Sequence, residues 1–173
     1  MSDAANYIAH EHLRDGSLIA IRALRPEDEA ALLAALEQTS PQSLRRRFFV
    51  MKRHFSEKER AFFTDIDFRN HVALVALAEH SGRESIVAGG RYIVSEPGRA
   101  EMAFVVIDAW QGRGIGSLLT RHLVKLARNA GLRELTAEVL SENAAMLKIF
   151  AKFGFKPAPS GDPGTIHLAL KLI

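Results

Sequence analysis

The stretch AFVVIDAWQGRGIGSLLTRHLVKLARNAG, residues 103–131, constrains the chain more than any other. A β-branched run leads into glycines at alternate positions 112, 114 and 116, and an amphipathic pattern follows at once. Ile115, Leu118, Leu119, Leu123, Leu126, Ala127 and Ala130 share one helical face, with Thr120, Arg121, Lys125 and Arg128 opposite and Gly131 as terminator. A strand, a glycine loop and a helix N-terminus make an anion site, because several backbone amides point one way and lack helical partners. On this reading the amides of Gln111–Ser117 wrap a pyrophosphate, and side chains in place of the glycines would block its approach. A tight strand-to-helix turn without ligand is the competing reading. The spacing fits neither a Walker loop nor the Gly-x-Gly-x-x-Gly fingerprint, since position 117 is Ser117.

Around this unit the pattern alternates between helix and strand. LIAIRAL, from Leu18, reads as a strand, and Pro26 followed by Glu27, Asp28 and Glu29 predicts a helix through about Gln38. Further helices are predicted over about 41–51 and after Ser56, which has capping-box spacing to Glu59. HVALVALAEH, SIVAGGRYIVS and RAEMAFVVI, separated by Ser-Gly-Arg and Glu-Pro-Gly-Arg turns, predict an antiparallel meander. LRELTAEVL reads as a strand, SENAAMLKIFAKFG as a short helix ended by Gly154, and TIHLALKL as a last strand. The polar residues 1–16, ending in Asp15-Gly16, read as a flexible lead-in. Residues 17–173 then form a single α/β (α+β) domain with a mixed, largely antiparallel sheet flanked by helices.

Composition removes several chemistries. With no cysteine among 173 residues there is no disulfide, thiolate nucleophile or cysteine-ligated metal. His10-Glu11-His12 fails the His-Glu-x-x-His zinc pattern because Arg14 stands where the second histidine belongs, so the pair reads as tail residues and no metal is expected. No Gly-x-Ser-x-Gly elbow supports a serine hydrolase. His122 reads as a surface or packing residue before a ligand contact. The net charge of +3 suits an anionic ligand and does not imply nucleic acid. Arg45, Arg46 and Arg47 read first as a solvated helix face and second as a contact for phosphates or an acidic partner. Without a secretory signal or a run of about 20 apolar residues, a cytoplasmic protein without a membrane partner is expected.

Gln111-Gly112-Arg113-Gly114-Ile115-Gly116 resembles the Gln/Arg-x-x-Gly-x-Gly/Ala loop of the GNAT superfamily of acyl-CoA-dependent N-acyltransferases. The valine-rich strand before it, the long helix after it and SENAAMLKIFAKFGFK are similar to the family's later segments, so the resemblance runs from about Leu18 onward. ALRPEDEAALLAALEQTSPQSLRRRFF and the Ala-Glu-Met-Ala strand resemble, more narrowly, the GNAT domain of Pat-type bacterial protein lysine acetyltransferases. No stretch here resembles their regulatory nucleotide-binding domain. The resemblance implies a GNAT-like sheet with two splayed strands and acetyl-CoA as cosubstrate. Gln111, Gly112, Arg113, Gly114, Ile115, Gly116 and Ser117 would bind its pyrophosphate. Backbone near Val105, Val106 and Ile107 would align the pantetheine like an added strand, and Asn143 would contact the coenzyme arm.

The implied reaction is acetyl transfer to a primary amine, with a protein lysine as favoured acceptor and a small amine or antibiotic as alternative. A non-catalytic acyl-CoA-binding regulatory module is a further alternative. A lysine has a reference pKa of about 10.4 and must lose a proton before attack. Glu101 resembles the glutamate proposed as base in Pat-type enzymes; its apolar neighbours Ala100, Met102, Ala103 and Phe104 could raise its pKa by desolvation, and an exposed strand glutamate facing water is the equally weighted competing reading. A strand amide near Val105 or Val106 is the expected oxyanion donor. Phe150 occupies the position at which many relatives carry a tyrosine acid, so water is left to protonate the thiolate. Oligomeric state is not legible from the residues.

Overall fold

The structure, a computed structural model, describes residues 3–37, 66–80, 82–159 and 164–172. The helices expected over 41–51 and after Ser56, and the cluster Arg45, Arg46 and Arg47, lie outside the described residues. The described strands are β1 (Ile8–His12), β2 (Leu18–Ala23), β3 (His71–His80), β4 (Arg83–Glu96), β5 (Arg99–Val106), β6 (Glu134–Leu140), β7 (Lys156–Ala158) and β8 (Thr165–Lys171). They form one sheet in the order β1-β2-β3-β4-β5-β6-β8-β7. Each neighbouring pair is antiparallel except β5 with β6. The described α-helices are α1 (Glu29–Glu37), α2 (Ile115–Asn129) and α3 (Ala144–Lys152).

Two adjacent glycines on β4 show how the sheet takes helices on both faces. A Cβ at Gly90 would meet Leu123 at 3.0 Å and Phe104 at 3.2 Å, so α2 lies hard against that face. Gly89 points the other way, where a Cβ would be 3.9 Å from Leu32 of α1. Period-2 alternation then sorts β5. Ala100, Met102 and Phe104 are buried on the α2 face, while Glu101, Ala103 and Val105 share the α1 face with Gly89.

Residues 8–12 correct the expectation of a flexible lead-in. Ile8–His12 pairs antiparallel with β2, and its alternate side chains are half-buried. Glu11 Oε1 accepts from Arg121 Nη2 at 2.5 Å and lies 3.0 Å from His122 Nε2, and Tyr7 Oη bonds to His122 Nδ1. His122 is buried, and that burial holds its pKa below the ordinary histidine value even though Glu11 acts to raise it. For Glu11, partial burial raises the pKa but the bonds from Arg121 and His122 outweigh it, leaving the carboxyl below its usual range. Thr120 is also buried instead of solvent-facing, its hydroxyl donating to Gly116 O at 2.8 Å.

Candidate active site

β5 and β6 stay paired only from Arg99↔Glu134 to Met102↔Ala137. Beyond that point β6 continues on β8 and β5 continues on β4, so the two strands part. Ile107 N donates to Val87 O at 3.0 Å, which fixes the alternation of the β4–β5 ladder. Val105 and Ile107 therefore turn their backbone groups toward β4, and Phe104 and Val106 turn theirs into the opening. Of the three residues expected to align a pantetheine, Val106 faces the opening through its backbone. Val105 lines the cleft without offering an amide there, which moves the expected oxyanion donor to Val106.

The cleft that follows the opening has a volume of about 190 Å³. One wall is Phe104–Val106, its mouth is Trp110 and the glycine loop, and its far wall is Asn143, Ala145, Met146 and Ile149. It is apolar along the strand and rich in backbone at the mouth, the division expected for a thioester arm ending in phosphates. Asn143 is buried and caps α3, its Oδ1 accepting from Met146 N at 3.3 Å, so its position against the cleft is fixed by the helix it starts.

The loop glycines divide into two kinds. Gly112 and Gly114 have φ of 75° and 100°, which other residues adopt only with strain, and nothing lies within 4 Å of a Cβ at either. Gly116 is in the first turn of α2, where a Cβ would meet Phe104 at 3.0 Å and Ile149 at 3.2 Å. Its smallness lets β5, α2 and α3 converge there, and Gly116 lines the cleft together with Gly112 and Gly114. No side chain caps α2 at Gly114. Leu118 N is bonded to Gly114 O at 3.1 Å, leaving Ile115, Gly116 and Ser117 as the amides at the helix start. Gln111 works differently from the expectation: its own amide donates to Asp108 O at 3.3 Å, and its Nε2 donates to Val106 O at 2.9 Å, tying the loop to the end of β5. Arg113 lies over the Trp110 ring at 4.3 Å and 3.7 Å from Asp15 in the β1–β2 turn.

Glu101 stands just before the point where β5 and β6 part, beside Thr136 of β6. It is exposed, and the desolvation expected from its sequence neighbours is not delivered. Ala100, Met102 and Phe104 belong to the opposite face, as strand alternation requires. Phe150 is fully buried, packed against Phe104 and Phe155 at ring distances of 5.7 and 4.8 Å. Among the described residues no group of three or more His, Cys, Asp or Glu could hold a metal ion, and no helix is long and apolar enough to cross a membrane.

A splayed parallel pair with a glycine loop and an uncapped helix start at its mouth defines the class of acyl-CoA N-acyltransferases. Residues 39–155 match the Acetyltransferase (GNAT) family, and the chain belongs to that family. It is 31% identical over 156 residues to an acetyltransferase of Pseudomonas aeruginosa, spanning 90% of this chain and 84% of that one. It is also 31% identical over 144 residues to the acetyltransferase Pat of Mycolicibacterium smegmatis, spanning 82% of this chain and 42% of that protein. The GNAT domain of S. lividans PAT superposes with a TM-score of 0.87 at 34% identity, covering 95% of this chain and 96% of that one. A Salmonella typhimurium structure solved with acetyl-CoA shares the fold at 18% identity and a TM-score of 0.71.

Proposed function

We propose that this enzyme transfers the acetyl group of acetyl-CoA directly to the amine of a protein lysine. The observation that carries the reading is the opening between β5 and β6 with Val106 facing into it and the α2 N-terminus at its mouth. The amides of Ile115, Gly116 and Ser117, with Arg113 alongside, bind the pyrophosphate. The Val106 backbone orients the pantetheine, and Asn143, Met146 and Ile149 close the cleft against the arm. When bound, acetyl-CoA supplies an activated thioester carbonyl. Glu101, exposed on the sheet face just before the opening, takes the ammonium proton of the arriving amine directly or through water. The amine nitrogen then bonds to the carbonyl carbon, the developing oxyanion meets the Val106 amide, and as the intermediate collapses the nitrogen gives its second proton to solvent and the C–S bond breaks. Phe150 has no proton to give, so the departing thiolate is protonated by solvent.

The resemblance of ALRPEDEAALLAALEQTSPQSLRRRFF and the Ala-Glu-Met-Ala strand to Pat-type protein lysine acetyltransferases supports the protein acceptor. The test is an acceptor screen with labelled acetyl-CoA over folded proteins, lysine peptides, free amino acids and aminoglycosides. Labelling of protein or peptide lysine well above free lysine is expected. Equal or preferential labelling of small amines would overturn the acceptor assignment, and binding without any amine-dependent CoA release would make the chain a sensor.

A further inference from the structure

A polar pair on the α1 face, buried Arg91 and half-buried His71, has no part in the chemistry above. Arg91, on β4, is 8% exposed and lies on the same face as Glu101. Its cross-strand neighbours are both alanine, Ala73 on β3 and Ala103 on β5, which leaves room for a guanidinium lying across the sheet. Arg91 Nη1 is 2.9 Å from His71 Nε2. Arginine only donates, so that nitrogen accepts and His71 is the neutral Nδ1–H tautomer. His71 is set by the turn before β3, where Asp67 Oδ1 accepts from the amides of Arg69, Asn70 and His71 at 2.9–3.0 Å.

Register brings this pair to the candidate base. His71, Ile93 and Glu101 form one row across β3, β4 and β5, and Arg91 is two residues from Ile93. It is therefore diagonal to both His71 and Glu101, a separation of about 7–8 Å that a long side chain spans. We propose that Arg91, anchored by His71, is a positioning residue that keeps Glu101 ionised and aimed along the sheet face at the mouth of the opening. This inference rests on Glu101 acting as base. Among the described residues, other ionisable groups on that face include Arg22 on β2, neutralised by Asp28 at 2.7 Å, Arg99 beside Glu101 on β5, Glu134 and Glu138 flanking Thr136 on β6, His167 and Lys171 on β8, and Lys156 on β7. Arg99 bridges Glu96 and Glu134 at 2.6 and 2.7 Å, and Glu138 bridges His167 at 3.0 Å. These groups are largely solvent-screened, whereas the burial of Arg91 preserves its field.

The experiment measures kcat/KM against pH with a lysine peptide. Arg91→Gln keeps a donor for His71 and removes the charge, and its acid limb should move up by about one pH unit with the KM for acetyl-CoA unchanged. Arg91→Lys keeps the charge and should leave the limb at the wild-type position, as should Arg99→Gln. A second pair tests the anchor without touching the charge. His71→Leu should lower kcat several-fold, and His71→Gln, whose amide oxygen again accepts from Arg91, should restore it. An unmoved limb in Arg91→Gln, an equal shift in Arg99→Gln, or full activity in His71→Leu would overturn the proposal. Wild-type turnover in Glu101→Gln would remove the base assignment and this inference together. A slow Glu101→Gln beside an unmoved Arg91→Gln limb would remove the inference alone.

Discussion

Gly114 separates the two roles a loop glycine can have, because its φ of 100° demands glycine while the space around a Cβ is open. Gly114→Ala therefore adds no clash, only backbone strain of about 1–2 kcal/mol, the usual penalty for an L-residue in left-handed conformation. Gly114→Glu adds the same strain and a negative charge at the helix start. For a phosphate charge ~6 Å away, Coulomb's law gives roughly 0.7 kcal/mol in bulk water and roughly 2.8 kcal/mol at the effective dielectric of a protein surface. The Glu variant should thus bind acetyl-CoA about 3- to 100-fold more weakly than the Ala variant, a gap that narrows with added salt. Calorimetry on both variants, with circular dichroism to establish folding, measures the difference. Equal affinities for Ala and Glu, or a gap insensitive to salt, would mean that no phosphate sits at this loop.

Gly116→Ala should act through packing: a methyl 3.0 Å from Phe104 and 3.2 Å from Ile149 predicts a loss of about 1–3 kcal/mol in urea unfolding, and an unchanged midpoint would refute the convergence of β5, α2 and α3 there. Phe150→Tyr places a hydroxyl in a fully buried ring cluster. If it reaches the cleft, thiolate release quickens in a single-turnover assay. If it does not, an unsatisfied hydroxyl lowers stability by about 1–3 kcal/mol, and the absence of both changes would refute the placement of this ring. The clasp between β1 and α2 should weaken in acid. His122 and Glu11 both have folded pKa values below their ordinary ones, so the unfolded chain takes up protons first. Stability is then full above about pH 6.5, falls as pH drops through the His122 range, and falls again below the ordinary carboxylate range near 4.5. His122→Gln should flatten the first decline in urea unfolding, and an unchanged slope would contradict it.

The strands of the meander and the loop-to-helix unit were legible because their signals are local. His71–His80 coincides with HVALVALAEH, and α2 begins and ends beside Gly114 and Gly131. The first and seventh strands were not. IAHEH is short and carries two histidines and a glutamate, and it is a strand because β2 supplies its ladder and α2 supplies partners for Tyr7 and Glu11. Lys156–Ala158 contains Pro157 and exists only as an edge on β8. In the site, the glycine loop could be read from spacing, but which backbone amide faces the opening depends on ladder phase, a property of β4 and β5 together. Glu101 was found by resemblance, while its exposure follows from strand alternation: adjacent residues in sequence lie on opposite faces. Arg91 and His71 are 20 residues apart and carry no motif, so only the β3–β4 register brings them together.

The most direct test of the mechanism is the turnover of Glu101→Gln with a lysine peptide and saturating acetyl-CoA, followed across pH beside the wild type. Glutamine keeps the shape and cannot accept the proton. The expected result is an unchanged acetyl-CoA affinity, a rate about 10²- to 10⁴-fold lower near neutrality, and a residual rate that rises with pH as more amine loses its proton. A near-wild-type rate under chemistry-limited conditions, with the same pH profile, would contradict it.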